Sequence, residues 1–405
     1  MTDDRVERSA TVYCTIVARN YLPQALTLVE SVSATEPEVD FVLLVIDGSD
    51  EDVPLSISRT RLRVCGLEVL DLPPEEIDNL ATIYDVVELS TGVKPRLLRN
   101  LLHDYQRAIY LDPDMYVVTP LVDLPALVDE FKVVLTPHIL NPIPAGTSFA
   151  SEGMHLTVGI HNLGFCAVGR GAEGFLDWWW SHLQRECLIY PLLGLFVDQK
   201  WVDMGAVLFN AHSLMHSGYN IGHWNLHERR FTPTSDGVIR MDATKEPLRL
   251  MHFSGFDPHN PQGISVRQNE SLEGKGLEFP ALIEANDQYA ANLLRNRRLL
   301  GPVPTYGFSS DSNGRPLSKR LRRTYRSELI RSNSALPSAF DPTRASDFAA
   351  WRRSSWKKQL ENASMDASLA FKYAFPDTFY ALKKKLPGAF SRTRSHLLSR
   401  AAVRR

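Results

Sequence analysis

Two apolar runs of strand length, joined by a helix-like segment, constrain the fold more than any other feature. Thr11–Ala18 (TVYCTIVA) and Phe41–Ile46 (FVLLVI) are long enough to be buried strands and far shorter than the ~20 apolar residues of a bilayer span. Leu22–Val32 between them has helical character, and Pro23 is tolerated in a first helical turn. Apolar strands that alternate with helices predict parallel βαβ units.

This alternation continues along the chain. Further strands are predicted at Leu67–Leu72, Arg107–Val118, Lys132–Thr136, His161–Val168 and Leu248–Phe253, and further helices at Pro95–Tyr105 and Gly174–Leu183. Asn141–Gly159, long and rich in Gly, Pro and Ser, is typical of a binding loop or lid. We therefore expect residues 1–300 to form an α/β domain, Rossmann-like, with a mostly parallel sheet flanked by helices.

Charge is distributed unevenly between this domain and the end of the chain. Residues 315–405 carry 21 Lys and Arg against 6 Asp and Glu, a net charge of +15, so the rest carries −17 although the total is −2. We expect residues 301–405 to form a basic, partly helical C-terminal extension, whose charge fits an acidic partner or a polyanionic surface.

One segment of the extension has the pattern of a short amphipathic helix that begins at Pro376. Lys383–Lys385 flank an apolar stripe formed by Phe375, Phe379, Leu382 and Leu386. Such a helix lies on an anionic membrane surface or packs against the protein's own body, and the sequence leaves both open.

The remaining composition indicates a cytoplasmic protein. Hydrophobic residues make up 44% and charged residues 23% of the chain, which excludes wholesale disorder and a disulfide-rich scaffold. The N-terminus lacks a signal peptide's apolar core, and scattered cysteines predict buried, reduced thiols at Cys14, Cys65, Cys166 and Cys187. The predicted location is the cytoplasm, and peripheral contact at the inner membrane face is one of the two alternatives open for the extension.

The strongest local signal for chemistry is the acidic pair in Tyr110-Leu-Asp112-Pro-Asp114. Residues two apart on a strand face the same side, and two carboxylates so close repel unless a cation lies between them. Their oxygen ligands suit Mn²⁺ or Mg²⁺, and ligands of open α/β sheets bind beyond the carboxyl ends of strands. Asp-Pro-Asp is also a common turn, so the tripeptide alone leaves both interpretations open.

Three further segments supply candidate groups. Lys94-Pro-Arg96 opens the helix before the acidic strand and could bind an anion, although a solvated helix end also explains it. The Asp198-Gln199 pair sits among apolar residues, where a carboxylate needs a partner whether its role is catalytic or structural. His252 ends a late strand and is interpreted either as a ligand or as a packed core residue.

Taken in order, these residues resemble the motifs of nucleotide-sugar glycosyltransferases with the GT-A fold. The resemblance runs from Thr11 to Gln268 and is greatest to family 8, the glycogenin-like and lipopolysaccharide-galactosyltransferase-like enzymes, and to related bacterial glycosyltransferases. The matching segments are Thr15–Tyr21, Val93–Leu97, Tyr110–Asp114, His161–Phe165, Asp198-Gln199 and His252–Gly255.

The resemblance implies a metal-dependent hexosyltransferase, retaining in stereochemistry, with a nucleotide-diphosphate sugar as donor. The implied Mn²⁺ or Mg²⁺ ligands are Asp112, Asp114 and His252, and the implied catalytic residues are Asp198, Gln199 and Lys94. The implied donor-binding residues are Ala18, Asn20, Tyr21, Asp47, Lys94, Arg96, Asp112, Asn162, Gly164 and Gly255. The acceptor implied is a glycan or lipid-linked glycan of the kind used in bacterial surface polysaccharide synthesis.

In such a reaction the C1–O bond to a diphosphate breaks, so the metal and nearby cations stabilise the departing group. Asp198 would support the oxocarbenium-like sugar, or act as a base if the enzyme inverts. One residue departs from the family's pattern, because the Lys that clamps the diphosphate three residues after the glycine is Pro258 here. The candidates to replace it are Arg229, Arg230 and Arg267.

Other classes fit the sequence less well. The motifs of P-loop NTPases, serine hydrolases and zincins are missing. A sugar nucleotidyltransferase would carry a Gly-rich loop where this chain has Ala18-Arg19-Asn20-Tyr21, and a binding module without turnover stays open because of Pro258. No nucleic-acid motif accompanies the basic extension, so we expect no specific nucleic-acid partner. The sequence leaves UDP or GDP, the sugar and the acceptor open.

Overall fold

The computed structural model describes residues 9–53, 61–145, 151–267, 279–331 and 335–385. Its strands are β1 (Thr11–Val17), β2 (Asp40–Val45), β3 (Arg61–Cys65), β4 (Arg107–Leu111), β5 (Met115–Val117), β6 (Val133–Pro137), β7 (His161–Gly169), β8 (Ile189–Tyr190), β9 (Leu195–Phe196), β10 (His212–Ser213), β11 (Phe231–Pro233), β12 (Ile239–Met241) and β13 (Leu250–His252). Its helices are α1 (Leu22–Thr35), α2 (Pro74–Ile83), α3 (Val86–Gly92), α4 (Lys94–Asp104), α5 (Leu124–Phe131), α6 (Glu152–Val158), α7 (Glu173–Glu186), α8 (Gln199–Leu208), α9 (Pro280–Leu300), α10 (Lys319–Arg331), α11 (Ala345–Ser354), α12 (Trp356–Ala374) and α13 (Pro376–Lys385).

A seven-stranded sheet lies at the centre of the molecule, with the strand order β10-β6-β7-β4-β1-β2-β3. All neighbouring strands are parallel except β7, which runs antiparallel between β4 and β6. This mostly parallel sheet flanked by helices confirms the α/β class expected from the sequence. Because β7 runs against its neighbours, its first residues lie at the same edge of the sheet as the last residues of β4.

Both faces of the sheet are covered, because successive strand side chains point in opposite directions. Val12 and Cys14 of β1 pack in a core cluster with the leucines of α4 and with Trp179 of α7. Tyr13, between them, packs in a second cluster with residues of α1 and α5. Trp179 is fully buried.

The third strand does not lie where the sequence indicated. Leu67–Leu72 was expected to form it, but Leu67–Leu70 forms a 3-10 turn that ends at Asp71 with φ of 50°. The strand is β3, at the edge of the sheet, where Arg61 and Arg63 face solvent. An edge strand exposes alternate residues, so the charged residues of β3 interrupt the continuous apolar run by which a buried strand is recognised. The expected irregular loop at Asn141–Gly159 contains α6, and its residues 146–150 lie outside those described.

The basic extension packs closely against the α/β body along its first part. Leu321 and Tyr325 of α10 belong to the main core cluster, and Arg322 beside them is buried. Phe379, within the expected apolar stripe, is buried near Phe371 of α12, whereas Phe375 is 58% exposed. Leu386 of that stripe lies outside the described residues. The division into domains 1–300 and 301–405 stays a prediction.

Among the described residues, no helix is both long and apolar enough to cross a bilayer. The four cysteines are buried and free, as the sequence predicted.

Candidate active site

The pairing of two short strands brings a histidine to the acidic pair. β5 and β13 are antiparallel, and His252 lies opposite Met115, which follows Asp114 directly. As a result His252 Nε2 lies 3.1 Å from Asp114 Oδ1 and 3.9 Å from Asp112 Oδ2. One ligand atom from each of the three residues lies within 4.8 Å of the other two. Asp112, Asp114 and His252, called the triad below, therefore form a candidate metal site.

The surroundings of the triad suit a hard divalent cation. The Tyr110 hydroxyl donates to Asp112 Oδ1 at 2.7 Å and the Tyr21 hydroxyl to Asp114 Oδ2 at 3.3 Å, which orients both carboxylates. His252 Nδ1 lies 3.4 Å from Asn220 Oδ1, which would accept the Nδ1 proton of a metal-bound imidazole and leave Nε2 free to coordinate. Two carboxylates and one imidazole are ligands that Mn²⁺ accepts and that Mg²⁺ accepts in part.

The charge of Asp114 is stabilised by its neighbours. Burial by itself would raise the pKa of this carboxyl, but His252, followed by Arg267, holds the pKa below its ordinary value. Asp114 therefore carries its negative charge at neutral pH, as a metal ligand must.

Gly164 allows the histidine to approach β7. A Cβ atom on Gly164 would lie 2.5 Å from His252 Cε1, so any larger residue would displace the ring. The Gly164 carbonyl accepts a hydrogen bond from the Asp112 N–H at 2.7 Å, and its own N–H donates to Asn162 Oδ1 at 3.0 Å. The expected donor-binding residues Asn162 and Gly164 thus lie directly beside the triad.

A buried ion pair lies next to the acidic pair. Lys94 Nζ is 2.6 Å from Asp198 Oδ2, donates to the Leu163 carbonyl at 2.7 Å, and sits 4.2 Å from the centre of the Tyr110 ring. Burial would lower the pKa of Lys94, but Asp198 and Asp112 outweigh it and raise that pKa above its ordinary value. The ammonium group stays charged, so the site contains a fixed cation.

Gln199 is held by two hydrogen bonds within the protein. Its Oε1 accepts from the Leu163 N–H and its Nε2 donates to the Val158 carbonyl, both at 3.0 Å. The side chain thereby ties β7 to the end of α6. Its catalytic role, like that of Asp198, stays a prediction.

The other expected donor-binding residues do not all lie beside the triad. Arg96 faces away from the triad, since its guanidinium donates to the carbonyls of Leu70 and Asp71. Asp47 accepts from the backbone N–H groups of Arg19 and Gly307. The Tyr21 hydroxyl contacts the triad at Asp114. Ala18 is buried, and the Oδ1 atom of Asn20, two residues later, has no hydrogen-bond partner within the described protein.

The structure shows which of the three candidate arginines lies near the triad, where a cation for the diphosphate is needed. Arg229 is buried 3.5 Å from Glu228, and the Arg230 guanidinium lies 5.0 Å from the Phe279 ring. Arg267 packs against Gly255, whose φ is +69°, and its charge acts on Asp114. Among these three, Arg267 is therefore the one next to the triad.

From the sequence, Trp224 could either stack on a sugar or pack in the core, but sequence reasoning missed the histidines around it. The Trp224 ring is 5.1 Å from the His252 ring and contacts His223 and His138. His138 in turn stacks on His155 of α6 and lies 3.2 Å from Asn162 Nδ2. The one available signal was the concentration of His, Trp and Asn in Tyr219–His227 (YNIGHWNLH), which has no helical or strand period.

No family model matches the chain. The uncharacterized protein YfnF of Bacillus subtilis (strain 168) is 24% identical over 309 residues, which cover 74% of this chain and 98% of the relative.

Three solved structures that are similar to the chain are glycosyltransferases. The galactosyltransferase LgtC, in complex with donor and acceptor sugar analogues, is 15% identical, with a TM-score of 0.38, over 70% of this chain and 99% of its own. The bifunctional WbbM is 15% identical, with a TM-score of 0.41, over 73% of this chain and 53% of its own. GlyE of Streptococcus pneumoniae TIGR4 is 16% identical, with a TM-score of 0.41, over 74% of this chain and 66% of its own. Similarity at this level assigns no family, so function must be inferred from the site.

Proposed function

We propose that the chain is a metal-dependent glycosyltransferase that moves a sugar from a nucleotide-diphosphate donor to a glycan or lipid-linked acceptor. The observation that carries this proposal is the triad of Asp112, Asp114 and His252 at the end of β4, with the charged Lys94 beside it. A divalent cation held by the triad would supply Lewis-acid stabilisation of a departing diphosphate.

The chain's own residues would perform the remaining tasks. Lys94 adds a fixed positive charge close to Asp112, which favours an anionic ligand at the site. In this proposal Asp198, held against Lys94, would supply a carboxylate near the positive charge that develops on the sugar, and the Asn162 amide would orient sugar hydroxyls. Arg267 is our candidate for the second cation on the diphosphate, in place of the lysine that Pro258 replaces. Retention of the anomeric configuration is part of the proposal and rests on the resemblance alone.

The proposed acceptor is lipid-linked, as in the synthesis of bacterial surface polysaccharides, and the proposed location is the cytoplasmic face of the inner membrane. The support is a basic, aromatic surface on α12 and α13. Trp356, Phe375 and Tyr380 are each more than half exposed there, and Lys383–Lys385 follow them. Aromatic rings and lysines in this combination favour the interface of an anionic membrane.

Isothermal titration with UDP, GDP and their common sugar conjugates, with and without Mn²⁺, tests the donor and the metal together. We expect one nucleoside diphosphate to bind only in the presence of Mn²⁺, and Asp114→Ala to abolish that binding in a folded protein. Asp129→Ala is the matched control, since Asp129 is an exposed carboxylate that pairs with Arg107. Metal-independent binding, or unchanged affinity in Asp114→Ala, would remove the metal assignment. No binding to any nucleotide would favour a module without turnover.

A further inference from the structure

Four side chains beside the triad carry buried nitrogens that have no hydrogen-bond partner within the described protein. These atoms are both ring nitrogens of His155, both of His227, Nδ1 of His223 and Nε1 of Trp224. His155 and Trp224 are 6% and 4% exposed. A buried polar atom without a partner costs about 1–3 kcal/mol, so six of them in one place indicate a partner from outside the chain.

The four residues, called the histidine cluster below, are connected to each other and to the candidate active site. Trp224 contacts the rings of His223 and His252, and His155 stacks on His138, which approaches the Asn162 amide. His227 is close enough to His155 for its protonated form to lower the pKa of that ring. The cluster therefore adjoins the triad through Trp224 and the start of β7 through His138.

The imidazoles of the cluster are neutral at physiological pH. Burial lowers the pKa of His223 to about 4, with a further contribution from His252, and burial also lowers the pKa of His155 and His227. A neutral imidazole offers one N–H donor and one acceptor nitrogen. Sugar hydroxyl groups likewise donate and accept, whereas a phosphate or a carboxylate only accepts.

The charges that face the cluster are of both signs. Glu152 and Glu228 act on His155 and His227, whereas Arg229 acts on His227 and Arg267 on His223. Arg229 lies 3.5 Å from Glu228, so part of its charge is already compensated. Among the described residues, the triad has the spacing of a metal site, and no group within this cluster does.

We propose that His155, His223, Trp224 and His227 form a subsite that binds the hydroxyl groups of an uncharged sugar ring, with the Trp224 indole N–H as an additional donor. Its identification as the acceptor side rests on the glycosyltransferase function proposed above, because Lys94 and Asn162 are there assigned to the donor. The cavity that His223 shares with His252, Ser254 and Asn286 has a volume of about 20 Å³, so a sugar ring must displace neighbouring side chains to bind there.

The test uses the full-length chain, ¹⁵N-labelled at histidine and tryptophan, with UDP and the diamagnetic Mg²⁺ present. Long-range ¹H–¹⁵N spectra are recorded during titrations with methyl glucoside, methyl galactoside and N-acetylglucosamine, and in parallel with sorbitol and inorganic phosphate. The variants are His155→Gln, His227→Gln and Trp224→Phe. His182→Gln is the matched control, because His182 is half-buried and stacks on Trp201 in α8, away from the cluster.

We expect at least one ring sugar to shift the His155, His227 and Trp224 nitrogen signals with saturation, while sorbitol and phosphate do not. Each of the three variants should raise the dissociation constant of the sugar about fivefold, which is the effect of losing one neutral hydrogen bond. His182→Gln should bind the sugar as the wild type does. The proposal is overturned if phosphate alone moves these signals, if no ring sugar does, or if the variants bind like His182→Gln. Should a variant not fold, the wild-type titration still decides.

A nucleotide titration on the same samples separates this inference from the proposed function. Nucleotide binding without any sugar shift overturns the subsite alone. A saturating sugar shift without nucleotide binding supports a sugar site and overturns the glycosyltransferase proposal.

Discussion

Lys94 and Arg322 are both buried cations, but the structure stabilises their charges in different ways. Lys94 is paired with the Asp198 carboxylate, and nearby carboxylates raise its pKa in spite of burial. Arg322 donates to the carbonyls of Ala81, Thr82 and Tyr84, and burial lowers its pKa. The Lys94–Asp198 pair lies next to the triad, whereas the carbonyl acceptors of Arg322 belong to a different segment of the chain from α10. Lys94 belongs to the site, and Arg322 fastens α10 to the end of α2.

Arg322→Met should give the largest loss of stability. Three carbonyl oxygens near the end of α2 lose their donor, and so does the carbonyl of Leu317. We expect the free energy of unfolding to fall by about 3–5 kcal/mol in urea titrations. Arg320 is an exposed residue of the same helix, so Arg320→Met should lower the free energy of unfolding by less than about 0.5 kcal/mol. Equal losses in both variants would contradict the role assigned to Arg322.

Lys94→Met should affect both stability and turnover, and a second substitution should separate the two. Removing the ammonium group leaves Asp198 buried without a partner, which costs about 3–5 kcal/mol. Adding Asp198→Asn removes the uncompensated charge, so the double variant should recover most of that loss while remaining inactive toward any donor. Urea titration and donor hydrolysis measure the two effects. A double variant that recovers turnover along with stability would place Lys94 outside the chemistry.

His138 extends the comparison to a buried group that stays uncharged. Burial lowers its pKa to about 3, from an ordinary value of about 6.5, with a smaller contribution from His155. Unfolding therefore takes up a proton between these two pH values, and acidification below about pH 6.5 destabilises the fold by up to about 1.4 kcal/mol per pH unit for this residue. His138→Gln should flatten the fall of unfolding free energy between about pH 6 and 4. His103→Gln, at an exposed position, should leave the slope unchanged.

The exposed lysines of α13 should show the smallest effect on folding. Replacing Lys383, Lys384 and Lys385 by Gln should change the free energy of unfolding by less than about 0.5 kcal/mol, because these side chains are exposed. Binding to anionic liposomes should fall more than tenfold, at about 1 kcal/mol for each lysine. Substitution is a cleaner test than truncation near residue 315, which would also remove Leu321 and Tyr325 from the core. Unchanged liposome binding would leave α13 without a membrane role.

The sequence predicted the elements whose signal is local. The apolar runs of β1 and β2 and the leucine spacing of α4 identified a buried sheet covered by helices, because burial on both faces requires continuous apolar residues. β3 was not predicted at its true position because this edge strand alternates charged and apolar residues. In the extension, the basic pattern gave a correct helix but could not distinguish Arg322 and Arg326 of α10, which are buried, from the lysines of α13, which are exposed.

The sequence alone determined that Asp112 and Asp114 stand together at a strand end, since their spacing is fixed by the chain. The tertiary structure decided which other residues lie beside these two carboxylates. The antiparallel pairing of β13 with β5 brings His252 to the pair, and the reversed direction of β7 brings Asn162 and Gly164 to the same edge. It also decided that Arg96 faces away and that Arg267 is the arginine beside the triad. The physical reason is that such contacts depend on strand order and direction, which are set by packing of the whole core and leave no local pattern in the sequence.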